Sequence, residues 1–345
     1  MNPRQSATRA KQNRSSDKSG SVIEALVNEN RPLSDFVQRH PLDPQDAAVA
    51  SAIRTMAAPA KGKQRGIEGR PQFDALMEGV EPRDDVGFQK DTVGGIAGLW
   101  VHPTKPRAGA AILHLHGGWF NFGTASAFRH FVGQIVARVK TSAFIPDYRL
   151  APENPFPAAT DDVWACYRGL TKQTHRRIAL TGDSAGGNLA LGLAARVATT
   201  RPETISPLVG VAVLSPVTDL TLSGDTYRTR AEADPFFTHS QVAQLVHSYL
   251  GQAEPRDALA SPLYGTLVGL PPICIQVGDD EVLLDDSQLF LKRAVSAGVN
   301  ARLDVWMGMP HGFVINVGRL KAAGLALEVV SAFLLDKLND PAISR

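Results

Sequence analysis

Cysteine is nearly missing from this chain: Cys166 and Cys274 are the only two in 345 residues, and they lie far apart in apolar stretches. A disulfide framework or a cysteine-based zinc site is therefore excluded as an organising element, and a reducing, cytoplasmic setting is expected. Long apolar runs are also missing. The best candidate, Ala185 to Ala198, is broken by Asn188 and Arg196, well short of the roughly 18 residues needed to cross a bilayer, so no membrane partner is expected. Nor is there a surplus of one charge, since 36 Lys and Arg face 34 Asp and Glu for a net +2. Within residues 1–20, Arg4, Arg9, Lys11, Arg14 and Lys18 face Asp17 alone, which leaves the remainder slightly acidic. No basic face remains for a phosphate backbone, and nucleic acid is excluded as a partner. The tail 1–20 has no apolar core behind its cations, so it reads as a disordered basic extension and not as a secretory signal.

What is present is the composition of a globular protein, 43% hydrophobic and 20% charged, long enough for one large domain or two smaller ones. Segment 21–80 is expected to be helical, from Val22, Ile23, Leu26 and Val27 at one-turn spacing and the helix formers of Ala47 to Ala58. Val86 to His102 reads as a hairpin about Gly94 and Gly95. Beyond residue 108, strand-length apolar runs (Ala110 to His116, Thr141 to Tyr148, Arg177 to Asp183, Val209 to Val217, Ile273 to Gly278) alternate with helix-length stretches at 125–139, 160–172, 185–200 and 286–297. That alternation predicts a mostly parallel sheet covered by helices on both faces, with ligands bound beyond the carboxyl ends of the strands. The connection from Val217 to Ile273 is too long for a structureless loop. It reads as a helical cap insertion, 219–272, that includes a helix at Ser240 to Tyr249 and is joined by the N-terminal helices of 21–80. The catalytic domain is then 81–218 with 273–345.

Gly182-Asp183-Ser184-Ala185-Gly186-Gly187 follows the run Ile178 to Leu180 and opens a helical stretch. This is G-x-S-x-G in a strand, sharp turn, helix frame, which places Ser184 Oγ at a helix N-terminus as a nucleophile. Such a serine needs a base. Of the histidines after Ser184, His239 and His247 fall in the insertion, whereas His311 follows an acidic cluster at a strand end and sits in the turn Met309-Pro310-His311-Gly312-Phe313. Spacing leaves the acid open among Asp279, Asp280 and Glu281, with Asp219 a rival after an earlier strand. Asp285 and Asp286 read as first-turn residues of the next helix.

Ala110 to Leu115 runs into His116-Gly117-Gly118-Trp119-Phe120, a turn whose amides, with that of Ala185, can hold an oxyanion. His114 and His116 could instead be a metal pair, but no third ligand is suggested nearby.

In four blocks in order the chain resembles the hormone-sensitive lipase family of α/β-hydrolase carboxylesterases: HGGWFNFG at 116–123, DYRLAPENPFPA at 147–158, GDSAGGN at 182–188, and DEVLLDD at 280–286 followed by HGF at 311–313. The resemblance, over about residues 85–340, implies an α/β-hydrolase fold with a helical cap. It implies Ser184 as nucleophile, Asp280 as acid and His311 as base, with oxyanion donors in Gly117, Gly118, Trp119 and Ala185. It also implies pairing into a homodimer through late strands and helices. Trp119 departs from the family's H-G-G-G by replacing its third glycine; a tryptophan keeps the backbone N–H but reshapes the site. With Phe120, Phe122, Phe236 and Phe237 it suggests an aromatic-walled substrate pocket. Arg149 and Glu153 are expected to form a structural ion pair.

The reading is a serine esterase acting on short- to medium-chain or small aromatic carboxylic esters through an acyl-enzyme, with no metal or organic cofactor. Amidase or lactonase activity would use the same triad. A small-molecule receptor on a hydrolase scaffold is the alternative outside enzymes.

Overall fold

The strands Ala110–Leu115, Leu208–Leu214 and Ile273–Gly278 of the computed structural model are buried along their whole length, as sequences such as Leu-Val-Gly-Val-Ala-Val-Leu dictate when both faces of a sheet are covered. Residues 31–63, 66–173, 177–200 and 208–339 are described; the expected basic tail and the Val22 to Val27 helix lie outside them. Among the described residues nine strands form one sheet: β1 Val37–His40, β2 Val86–Val93, β3 Ile96–Pro103, β4 Ala110–Leu115, β5 Ala143–Pro146, β6 Arg177–Asp183, β7 Leu208–Leu214, β8 Ile273–Gly278 and β9 Ala301–Trp306. Their order is β1-β9-β8-β7-β6-β4-β5-β3-β2. All neighbours from β1 to β5 pair parallel, while β3 pairs antiparallel with β5 and with β2. The hairpin turns at Gly94 and Gly95, both at positive φ (63° and 87°), as a two-residue loop between twisted strands requires.

The helices are α1 Pro44–Ala57, α2 Arg70–Glu78, α3 Arg129–Val139, α4 Ala158–Lys172, α5 Ala185–Thr200, α6 Thr226–Thr229, α7 His239–Leu250, α8 Leu284–Ser296 and α9 Lys321–Asn339. Side chains of α4, α5 and α8 build the core on one face of the sheet, those of α3 and α9 the core on the other. This is the α/β-hydrolase architecture, with α6, α7 and a 3-10 turn at Pro262–Tyr264 in the connection between β7 and β8 forming the helical cap.

Two features position the site. After β4 the chain passes to α3 on one face, and after the adjacent β6 to α5 on the other. Loops that part in this way open a crevice at the carboxyl ends of the two strands. The second feature corrects the purely helical reading of 21–80: Val37–His40 is a strand that continues the sheet beyond β9, registered Val37 to Leu303 and His40 to Trp306. Four residues without an apolar run carry no strand signal of their own. The His40 ring, stacked on Trp306 at 3.8 Å and hydrogen-bonded to Asp304 at 2.8 Å, supplies tertiary contacts instead. Helix α1 packs beneath the sheet, where the Asp46 carboxylate accepts the Lys321 and Ala322 amides at the start of α9 (2.8 Å each).

Candidate active site

Ser184 sits between β6 and α5 at φ +52°, a left-handed backbone that a non-glycine residue adopts only when its surroundings impose it. The imposition is visible: its amide donates to the Leu214 carbonyl (2.8 Å), and its carbonyl accepts from Val217 (3.1 Å). A Cβ on Gly186 would lie 1.8 Å from the Leu115 carbonyl oxygen, and one on Gly182 would lie 2.3 Å from that of Gly186. The glycines of the motif are thus demanded by the approach of β4 and α5 to the turn.

His311, in the loop after β9, places Nε2 3.1 Å from Ser184 Oγ and Nδ1 2.6 Å from Glu281 Oε2. A carboxylate only accepts, so Nδ1 carries the proton and Nε2 is left to accept from the serine. Glu281 is fully buried, and its other oxygen accepts from the Gly278 amide and the Ser215 hydroxyl (2.7 Å each). Burial disfavours the imidazolium, but the charge and hydrogen bond of Glu281 outweigh it, and His311 titrates above its ordinary range.

Asp280, the acid that the family resemblance implied, does not reach His311. Its carboxylate pairs with Arg54 of α1, whose Nη2 also donates to the Gly308 carbonyl at 3.0 Å. One step along a tight turn reverses the direction of a side chain, so Glu281 faces inward and Asp280 outward. Asp219 is spent on its own loop, accepting from Thr221 and Ser223. Asp286 is buried behind it with the Thr218 and Asp219 amides, and burial pushes its pKa up to about 8.

The turn after β4 is closed by Asn121 and Phe122 N–H donating to the Gly118 carbonyl (3.0 Å each). Among the described residues the Gly118 and Trp119 amides have no acceptor. Gly117 is corrected as a donor, because its amide is committed to Asp183 Oδ1 at 3.0 Å. His114 bonds Thr181 through Nδ1 (2.9 Å). His116 stacks on Tyr148 with ring centroids 4.2 Å apart, and burial lowers its pKa to about 4, which keeps it neutral. Among the described residues no three metal-ligating side chains converge.

The aromatic residues divide. Trp119 packs edge-on against Phe237 (5.4 Å), and Phe237 edge-on against His311 (5.2 Å). Phe236 is tilted against Phe237, with ring centroids 6.2 Å apart. Phe120 and Phe122 are corrected as pocket walls: Phe120 is 1% exposed and stacked on Tyr249 of α7 at 3.7 Å, and Phe122 packs on Phe73. The expected Arg149–Glu153 pair does not form either, since Arg149 bonds Asp162 and Glu153 bonds Arg70.

The sequence pattern of a family with the α/β hydrolase fold matches residues 112–315. An acetyl-hydrolase of Streptomyces hygroscopicus is 36% identical over 74% of this chain and 83% of its own length. Among solved structures, an esterase/lipase from an uncultured bacterium superposes with TM-score 0.80 at 33% identity, covering 87% of this chain and all of that one. An esterase from the bacterial hormone-sensitive lipase family superposes with TM-score 0.79 at 32% identity, over 86% of this chain and 99% of that one. Fold, site and relatives together define a serine-type carboxylic ester hydrolase. The chain belongs to the bacterial hormone-sensitive lipase family of α/β-hydrolases.

Proposed function

We propose that Ser184, His311 and Glu281 form the catalytic triad of a carboxylesterase acting on short- to medium-chain or small aromatic esters through an acyl-enzyme. The continuous hydrogen-bonded line from Glu281 through His311 to Ser184 carries this reading. His311 Nε2 takes the Ser184 proton as Oγ bonds to the ester carbonyl carbon, and the carbonyl electron pair moves onto oxygen. The resulting oxyanion is held by the amides of Gly118, Trp119 and Ala185, the last of which also lies at the positive end of α5. Collapse restores the carbonyl, breaks the bond to the alkoxy oxygen and returns the proton from His311 to the departing alcohol. Water then repeats the two steps and frees the acid. In this reading residues 81–218 and 273–345 are the catalytic domain, and 219–272 the cap over it.

Hydrolysis of p-nitrophenyl acetate and labelling by a fluorophosphonate probe are the test. Both should be present in the parent chain, and Ser184→Ala should abolish labelling and reduce turnover by about 10⁴-fold or more. Full turnover in Ser184→Ala overturns the mechanism. Tight small-molecule binding with no labelling of the parent chain supports a receptor instead.

A further inference from the structure

We infer that Trp119 is the residue that determines acyl specificity, its indole closing the acyl side of the site to all but short chains; this rests on the reading of Ser184 as the nucleophile. Trp119 stands at φ +51° and is 4% exposed, a strained backbone for a bulky side chain. Its Nε1–H is buried with no acceptor among the described residues, so the ring occupies its place at a cost that packing alone does not favour. Strain and an orphaned donor together, on a ring packed against the Phe237 that touches His311, point to a role in recognition.

The tetrahedral carbon on Ser184 carries four groups: Oγ, the oxyanion, the leaving oxygen and the acyl chain. The leaving oxygen must face His311 Nε2, and Phe237, edge-on to that imidazole, borders it. The oxyanion faces the amides of the β4 turn. Trp119 carries one of those amides and packs edge-on against Phe237 at 5.4 Å, which assigns the remaining substituent, the acyl chain, to the indole.

The backbone beneath each wall is held in place. The Trp119 carbonyl accepts from Asn121 Nδ2 at 2.6 Å, and Asn121 Oδ1 accepts from Ser248 of α7 at 2.8 Å. The Phe236 and Phe237 amides donate to Asp234 Oδ1 (2.8 and 3.0 Å), while Asp234 Oδ2 accepts from Val282, the residue after Glu281 (2.9 Å). A buried indole on a held backbone, packed against Phe237, acts as a stop that each methylene added to the acyl chain meets.

The test is kcat/KM for p-nitrophenyl acetate, butyrate, hexanoate and octanoate with the parent chain, Trp119→Gly and Trp119→Asn, read as the hexanoate-to-acetate ratio within each protein. Asn tolerates positive φ and serves if the glycine variant does not fold. The parent should favour acetate over hexanoate by at least tenfold, and either variant should raise the hexanoate-to-acetate ratio by at least tenfold. Phe237→Ala should alter the ranking of ethyl, phenyl and naphthyl acetates more than the acyl ratio. Unchanged acyl ratios in both Trp119 variants, with the parent active and labelled by fluorophosphonate, overturn the inference and leave the triad standing. A parent chain that neither labels nor hydrolyses any ester overturns both.

Discussion

Arg54 of α1 holds Asp280 and the Gly308 carbonyl with the same guanidinium nitrogen. Asp280 precedes Glu281, and Gly308 lies three residues before His311, so one side chain from the N-terminal segment ties the acid loop to the base loop. Asp279 reinforces the link by accepting the Gly308 amide, and the Asp280 amide donates to the Met309 carbonyl at 3.1 Å.

Arg54→Ala should therefore loosen both loops without removing a reacting group. Side-chain exposures of 33% and 23% place the ion pair partly in solvent, where such pairs stabilise by about 1 kcal/mol at most. The expected outcome is a small fall in thermal midpoint, a several-fold fall in kcat and little change in KM. A larger loss in KM than in kcat would place Arg54 in substrate binding.

The two neighbouring acids should separate cleanly. Glu281→Gln keeps shape but removes the charge that orients and stabilises His311, and about 10³- to 10⁴-fold should be lost from kcat. Asp280→Asn should behave as Arg54→Ala does. The pH profile distinguishes them further. His311 must be neutral to accept the Ser184 proton, so kcat/KM falls as pH drops through its pKa, which lies above the ordinary 6.5. Glu281→Gln removes what raises that pKa while burial, which lowers it, remains. The acid limb should move to lower pH in this variant and stay in place in Asp280→Asn; an unmoved limb in Glu281→Gln refutes the pairing.

Glycine substitutions should report the sterics of the nucleophile turn. In Gly186→Ala the new methyl would sit 1.8 Å from the Leu115 carbonyl oxygen and 2.6 Å from that of His116. Both obstacles are backbone, so a loss of about 3 kcal/mol or more is expected, visible as a collapse of the thermal midpoint. Gly324→Ala on α9 meets nothing within 4 Å and should gain about 0.5–1 kcal/mol from helix propensity.

Short-range physics made much of this protein legible in its residues. Uninterrupted apolar runs demand burial on both faces, so β4, β6, β7 and β8 could be placed to within a few residues, and the alternation with helices called for a parallel sheet. The glycines around Ser184 reflect backbone collisions within one turn and its neighbouring strand, and His311 stood alone after a strand outside the insertion. Contacts between distant segments decided the rest. Three consecutive acids have the same local pattern, and only the fold of the loop against α1 sends Asp280 to Arg54 and Glu281 to His311. The strand at Val37–His40 exists because β9 and Trp306 are there to receive it. Arg149 and Glu153, neighbours in one motif, take partners from α4 and α2 instead of each other. Periodicity and turn sterics are written residue by residue, whereas the partner a side chain meets depends on chain that folds back from far away, and its direction in an irregular loop is set only when that chain arrives.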